Sequence, residues 1–446
     1  MNKSVLFLYL FFFSTNLVSQ SCLPSGISIS TQQEIDDFAT NYPGCTEVLG
    51  PVNIDGFNTG HIQNLDGLSH ITSIGSYLRI RNNAALPNLS GLVSLKNIGT
   101  AFHIENNPLI SSLAGPDSLS SIGGIYLEDQ PNLLSFSGLN DSLTIGYLHM
   151  HDNVGISDFT GLEHLTELPT GITLFDSDIT GFQGLNNVTH IGGDFFLFNL
   201  SNITNFQGLN SLTNIGGIFF HNNTSVINYA GLDNLTSVAG GMLVVGNNQL
   251  TGFTHLMSLT DISLYLQITA NHLIKNLNGL SNLTTLNGYI EIINNNDLES
   301  LVGLGNIDLS GLTSSPLGYE IDVRLNQSLN TCAIDFICSA IDDPNINLDI
   351  ENNAPDCNSI TEVTPFCPSC LVTNDNTFTG NVNNLWSNPN NWSKLALPDA
   401  CTNVFIPNNK TVVVNNNFTA ECNTIVVPLS SVLNVQPGST LSVITD

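Results

Sequence analysis

The sequence predicts a mainly β fold: a single-stack parallel β-solenoid of about eleven coils, closed by disulfide-bonded caps and followed by a small β module. Three observations predict it. A Gly-Leu frame recurs every 23 or 24 residues, short apolar segments alternate within each recurrence, and the cysteines are confined to the two sides of the repeats. Recurrence at a fixed period is the mark of a repeat architecture, in which each unit buries its apolar face against its neighbours.

The Gly-Leu step fixes the phase of the repeat. Gly115-Pro116 and His255-Leu256 occupy the two places where the step is missing. Each coil follows roughly L-x-G-L-x-x-L-x-x-I-G-G-x-L-x-I-x-N-N-x-x-L. The steps begin at Gly67, Gly91, Gly138, Gly161, Gly184, Gly208, Gly231, Gly279 and Gly303.

Within each coil, the L-x-I-x-N-N segment predicts a short strand followed by a turn. Alternate residues of a strand point to opposite faces, so the apolar first and third positions, such as Leu78 and Ile80, should line the interior. The paired glycines before the strand predict a corner that needs positive φ or close backbone approach. The asparagines after it predict an inward turn whose side-chain amides form a ladder between coils.

This frame resembles leucine-rich repeats and, more closely, the receptor L-domain family, over residues 46–330. Residues 22–45, with a helix-like stretch from Thr31 to Phe38, look like the N-terminal cap of exported bacterial members. Residues 331–370 look like their cysteine-rich C-terminal cap. The last coil is longer, because about seven residues are inserted around Ser310 to Gly318, and the insertion should form a loop at one edge.

The nine cysteines predict structural disulfides in an exported protein. The spacing leaves the pairing open, and one cysteine must remain free or pair outside the chain. The Cys367-Pro-Ser-Cys370 spacing also occurs in redox and zinc sites, but no thioredoxin-like pattern or nearby histidine accompanies it. The predicted structural set is Cys22, Cys45, Cys332, Cys338, Cys357 and Cys367.

The N-terminus predicts export. Residues 1–21 have the pattern of a signal peptide: Lys3, an apolar core from Val5 to Phe13, and a small-x-small cleavage site at Ser19 and Ser21. No later segment has the roughly 18 apolar residues that a membrane-spanning helix needs. We therefore expect a secreted or cell-surface protein. Its 8 basic against 37 acidic residues, a net charge of -29, exclude nucleic acid and anionic membranes as partners.

Aromatic side chains are predicted at the outward positions of the central strands. Exposed aromatic clusters usually mark a contact surface, and the alternative is cross-strand packing that stabilises the sheet. His149 and His151 share this face, but no third ligand accompanies them, so no metal site is predicted. The predicted face comprises Tyr126, His149, His151, Phe175, Phe196, Phe198, Phe219 and His221, flanked by Arg79, Arg81, Glu105, Glu128 and Arg324.

Residues 371–446 carry a different pattern, with both tryptophans of the chain, Trp386 and Trp392, and alternating β segments. The stretch resembles a tryptophan-containing β module of secreted bacterial surface proteins. The tryptophans either form the core of this module, which is the favoured interpretation, or stack on sugar rings. The alternating pattern continues to Asp446, from which we expect an incomplete module.

No catalytic or cofactor motif is present, so the sequence predicts a non-enzymatic protein without a cofactor. The family resemblance implies binding along the strand-lined face. The favoured hypothesis is an exported adhesion protein that binds a protein or glycan at the cell surface. The alternatives are a passive stalk or envelope-layer protein, and a carbohydrate-active protein whose functional part lies in and beyond the C-terminal module.

Overall fold

The structure is a computed structural model that describes residues 20–57, 62–223, 225–367, 374–398, 402–415, 417–422 and 424–443. Almost all of the predicted signal peptide lies outside these residues, as do Cys370 and Cys401. The described chain is a parallel β-solenoid with short helices at its ends, as predicted.

The strands are short and occur once or twice in each coil. They are β1 (Gln20–Cys22), β2 (Ile27–Ile29), β3 (Cys45–Val48), β4 (Val52–Asp55), β5 (Ser73–Ile74), β6 (Leu78–Arg81), β7 (Asn97–Glu105), β8 (Ser121–Glu128), β9 (Thr144–His151), β10 (Glu167–Leu168), β11 (Gly171–Phe175), β12 (His190–Ile191), β13 (Asp194–Phe198), β14 (Asn214–Ile215), β15 (Phe219–Asn222), β16 (Ser237–Val238), β17 (Met242–Val245), β18 (Asp261–Ile262), β19 (Leu266–Thr269), β20 (Thr285–Leu286), β21 (Ile290–Ile293), β22 (Ile321–Arg324), β23 (Leu348–Glu351), β24 (Asn374–Thr377), β25 (Thr402–Phe405), β26 (Thr411–Val414), β27 (Thr419–Cys422), β28 (Thr424–Val426), β29 (Val432–Val435) and β30 (Thr440–Val443).

Helices are few and short. The α-helices are α1 (Gln32–Asp36), α2 (Phe38–Asn41), α3 (Asp335–Asp342) and α4 (Ile360–Val363). The 3-10 turns lie at Asp66–Leu68, Ser90–Leu92, Asn278–Leu280, Val302–Leu304, Leu309–Gly311, Thr364–Phe366 and Pro389–Asn391.

Each coil contributes at least one strand to the main sheet, in which every pair is parallel. The pairing runs β2, β4, β6, β7, β8, β9, β11, β13, β15, β17, β19, β21, β22 and β23. A second row, β10, β12, β14, β16, β18 and β20, forms a six-stranded sheet. Because β2 and β23 belong to the main sheet, each predicted cap extends it by a strand of its own.

The interior is filled by side chains that stack on their equivalents in the next coil. The clearest column consists of six buried rings whose centroids are 5.4–5.9 Å apart. Each ring therefore excludes water from its neighbours, and the apolar burial that stabilises the fold is shared between adjacent coils. The column comprises Phe136, Phe159, Phe182, Phe206, Tyr229 and Phe253.

The paired glycines are required because backbones approach closely at the corner. A Cβ atom on Gly216 would lie 2.1 Å from the carbonyl oxygen of Gly192 in the preceding coil. Positive φ, the other predicted reason, applies instead to the glycine of several Gly-Leu steps, as at Gly208 with φ of 103°. Only glycine satisfies both corners without displacing the neighbouring coil.

The predicted asparagine ladder is present. The amide nitrogen of Asn271 donates to the carbonyl oxygens of Val244, at 2.8 Å, and Thr269, at 3.0 Å. Its oxygen accepts from the backbone N–H of Asn247, at 2.9 Å, and Asn271 in turn donates its backbone N–H to Asn295. These amides satisfy buried backbone groups that the turns leave without partners.

Three disulfides hold the two ends. Cys22 pairs with Cys45, Cys332 with Cys357, and Cys338 with Cys367, with Cα atoms 5.6, 6.0 and 5.5 Å apart respectively. The N-terminal end also contains α1, whose first turn is closed by a capping box between Thr31 and Glu34.

The inserted segment of the longest coil lies between β21 and β22. It contains the 3-10 turn Leu309–Gly311 and a tight turn at which Leu317 is 63% exposed. It therefore protrudes as a loop, as predicted.

The C-terminal segment is a second parallel stack. Strands β25, β26 and β27 pair with β28, β29 and β30, and paired residues such as Val412 and Leu433 are 21 residues apart in the sequence. Trp386 and Trp392 are fully buried in its core, with ring centroids 4.8 Å apart. Core packing of the tryptophans is thus confirmed, and neither ring is available to stack on a sugar.

Candidate functional site

The outward side chains of the main sheet include a continuous row of rings, which we call the aromatic strip. Successive strands are parallel and in register, so each ring lies over its neighbour in the next coil, and the contacting centroids are 4.4–6.4 Å apart. The strip comprises Tyr77, His103, Tyr126, Tyr147, His149, Phe175, Phe196, Phe198 and Phe220.

Ring-on-ring packing leaves the strip partly exposed to solvent. Phe198 is 38% exposed, and Tyr126, His149, Phe175 and Phe196 are half-buried. The cross-strand packing that the sequence offered as the alternative is therefore present, but it does not bury the rings completely. An apolar surface of this extent on a sheet face is typical of a contact surface.

The prediction that Phe219 and His221 belong to the outward face is wrong. Both are fully buried and point into the solenoid, because Phe219 pairs with Phe195 and His221 with Leu197 in the neighbouring strand. The outward ring of this coil is Phe220, which contacts Phe196 at 5.3 Å.

The reason is a one-residue shortening of the turn in this coil. Leu200 follows Phe195 by five residues, whereas its ladder partner Asn223 follows Phe219 by only four. The sequence pattern locates each strand by its distance from the asparagines that follow it. In this coil that distance is one residue shorter, so the predicted strand is shifted by one residue. A shift of one residue exchanges the two faces of a strand.

Burial changes the protonation behaviour of the histidines in and below the strip. Desolvation lowers the pKa of His103 and of His149, and for His149 the nearby His151 adds to the effect. Complete burial lowers the pKa of His221 to about 4, although its hydrogen bond to Asn247 opposes the shift. These rings are therefore uncharged at neutral pH.

The flanking arginines lie on the predicted face, but each is neutralised by a carboxylate. Arg79 makes a two-pronged contact with Glu105, with Nε 2.9 Å from Oε1. Arg81 contacts Asp55, with Nε 2.8 Å from Oδ2.

Arg324, beyond the other end of the strip, contacts the fully buried Asp322, with Nε 2.6 Å from Oδ1. The surroundings of the strip are consequently acidic overall, since Glu128, Asp349 and Glu351 remain in excess of the arginines.

His151 lies at the edge of the strip in a group of carboxylates that the sequence pattern did not predict. Its Nε2 lies 3.3 Å from Oδ2 of Asp152 and 3.7 Å from Oδ2 of Asp176, and its Nδ1 lies 3.7 Å from Oε1 of Glu128. The ring also meets Phe175 edge-to-face at 6.3 Å. Asp152 and Asp176 were not predicted, because they follow the strand and so lie outside its outward positions.

The chain matches no protein-family model and none of the curated proteins with which it was compared. Within the described part of the chain, no helix is both long and apolar enough to cross a bilayer. Fold and surface together define a disulfide-capped parallel β-solenoid with an aromatic sheet face, a class compatible with a binding or a structural role.

Proposed function

We propose that this chain is an exported, non-enzymatic binding protein that uses the aromatic strip to hold a protein ligand outside the cell. The observation that carries the proposal is the strip itself: nine contacting rings that remain partly exposed although every neighbouring interior column is fully buried. Apolar rings exposed together in one contiguous patch usually mark a surface that a partner covers.

The chemistry of the strip favours a protein over a glycan. Three phenylalanines, Phe175, Phe196 and Phe198, form its centre, and it continues into the aliphatic Leu243 and Val245 of β17. Such side chains provide apolar area but no hydrogen bonds for sugar hydroxyls. With a net charge of -29 and its arginines neutralised, the surface fits a ligand with an apolar centre and a basic rim.

The extracellular setting rests on three disulfides, which persist in oxidising compartments, and on the signal-like pattern of residues 1–21. The resemblance of the repeat frame to leucine-rich repeats and receptor L-domains supports the use of the strand-lined face.

The test compares wild type with F196S/F220S, which removes two outward rings, and with L109S/L134S, which removes two exposed apolar side chains outside the strands. Each purified protein is applied to an array of extended peptides containing aromatic and basic residues and to a glycan array. We expect wild type and L109S/L134S to bind peptides, and F196S/F220S to lose at least tenfold in affinity with an unchanged far-UV circular dichroism spectrum.

Three results would contradict the proposal. Binding that is unaffected by F196S/F220S would place the contact elsewhere. Binding to glycans alone would identify a carbohydrate ligand. If the chain bound neither array, the passive stalk would be favoured.

A further inference from the structure

The group around His151 brings one imidazole and three carboxylates from three successive coils to one point. Ligand atoms of His151, Asp152 and Asp176 all lie within 4.8 Å of one another. Glu128 approaches the imidazole from the opposite side, at Nδ1. The three closest side chains are between one third and one half exposed, so water can also reach the point.

The charge of this group is not balanced as it is elsewhere on the sheet. Asp55, Glu105 and Asp322 each contact an arginine. Among the described residues, by contrast, the ion-pair partner of Asp152 and Asp176 is His151 alone. Two carboxylates therefore share one imidazole at this point, whereas the other three carboxylates each face a guanidinium, which is always charged.

The fold does not require aspartate at these two positions. Asp152 and Asp176 occupy the left-handed turn position after the strand, with φ of 53° and 46°. Asparagine holds the equivalent position in other coils, including Asn106 and Asn199, and adopts this conformation equally well. A carboxylate in place of an amide adds charge without a gain to the turn, which points to a role outside the fold.

We propose that His151, Asp152 and Asp176 bind a divalent transition-metal ion, for which Zn²⁺ is the best probe. Ligands of a tetrahedral zinc ion with bonds of about 2.0–2.1 Å lie roughly 3.3 Å apart. Nε2 of His151 is 3.3 and 3.7 Å from the two aspartate oxygens, so small side-chain movements suffice to place an ion between them. Water completes the coordination.

Neighbouring groups hold the ligands in the required orientation. A carboxylate facing Nδ1 of His151, that of Glu128, favours the tautomer in which Nδ1 carries the proton and Nε2 offers its lone pair to the ion. The amide of Asn199 donates to Oδ1 of Asp176, which directs the other oxygen, Oδ2, toward His151. Such supporting contacts are typical of metal ligands.

The ligand set selects against calcium. Ca²⁺ takes about 6–8 oxygen ligands, whereas this group offers one nitrogen and few oxygens. Imidazole combined with carboxylate suits zinc and its transition-metal neighbours. The proposal does not depend on the protein-binding role of the aromatic strip.

Titration calorimetry with ZnCl₂, and separately with CaCl₂, tests the proposal on the tag-free chain. The variant D152N/D176N keeps residues that the same turn position uses in other coils. The matched control D129N changes the aspartate at that position one coil earlier. We expect wild type and D129N to bind one Zn²⁺ per chain, D152N/D176N to bind at least a hundredfold more weakly, and CaCl₂ to give no comparable binding.

X-ray absorption of the zinc-loaded chain should show nitrogen and oxygen ligands including one imidazole. A sulfur ligand would move the site to a cysteine and overturn the proposal. It would equally fail if wild type bound no zinc at micromolar concentration, which would leave His151 as an ion-pair partner only, or if D152N/D176N bound zinc as wild type does.

Discussion

His221 and Tyr229 are hydrogen-bonded to each other inside the solenoid, with Nε2 of the imidazole 2.8 Å from the phenol oxygen. Nδ1 of His221 lies 2.9 Å from the amide oxygen of Asn247. The amide nitrogen of Asn247 donates to the backbone oxygens of His221 and Val245, so its oxygen faces the ring and can only accept. Nδ1 therefore carries the proton, and Nε2 accepts from Tyr229.

This pair replaces two apolar side chains of the repeat, which yields the first prediction. Y229F should lower the free energy of unfolding by about 1–3 kcal/mol, because it leaves a buried Nε2 without a donor. H221L/Y229F should recover that loss, since the neighbouring coil has Leu197 and Phe206 at these positions. Urea unfolding of the wild type, both single variants and the double variant measures the coupling. Additive losses would show that the two groups act separately.

The same histidine predicts a pH dependence of stability. Burial lowers the pKa of His221 to about 4 in the folded chain, against about 6.5 when unfolded. The unfolded state binds the proton first as the pH falls, so stability present above pH 6.5 is lost between about pH 6.5 and 4, by about 3 kcal/mol for this group. Urea midpoints at pH 7.5 and 4.5 should differ more in wild type than in H221L. An equal difference in the two proteins would assign the effect to the carboxylates.

Substitution of the two adjacent phenylalanines of β15 should cost very different amounts of stability. F219A should cost about 3–5 kcal/mol, because it removes a fully buried ring that stacks on Phe195 at 5.3 Å. F220A should cost about 1 kcal/mol, the value of its ring contacts on the surface. Thermal denaturation followed by circular dichroism compares them. Similar melting temperatures would contradict the observed register.

Substitution of a ladder asparagine should cost more stability than substitution of a surface asparagine. N271A should lower the free energy of unfolding by about 3 kcal/mol or more, because Asn271 satisfies several buried backbone and amide groups. The control N282A removes an exposed amide that donates once, to Met257, and should cost less than about 1 kcal/mol. Chemical denaturation of the two variants gives both values, and equal costs would mean that water replaces the ladder.

The parallel solenoid could be predicted from the sequence because its causes are local and repeated. Alternation at Leu78 and Ile80 gives the inward face, the corner glycines give the turns, and buried asparagines such as Asn271 give the ladder. Each cause recurs in most coils, so a single departure does not obscure the pattern.

Features that depend on contacts between particular coils could not be predicted. The outward assignment of Phe219 and His221 was wrong because the sequence of one coil does not reveal that its turn is shortened. The shortening becomes evident only when Phe219 is paired with Phe195 in the neighbouring strand. The group around His151 likewise needs register across coils. One signal was available in the sequence: Asp129, Asp152 and Asp176 succeed one another at a position that asparagine holds elsewhere.

The disulfides of the described residues lie in the first and last coils, and this has a consequence for how the repeats unfold. A chain of units that contact only their neighbours loses structure most readily from its ends, where a unit has one neighbour instead of two. The bonds from Cys22 to Cys45 and from Cys338 to Cys367 close those ends covalently. A reducing agent would therefore increase fraying at the ends and leave the central coils unchanged. The backbone amides of the central strands β11 and β13 should exchange with deuterium last, whether or not the thiols are free.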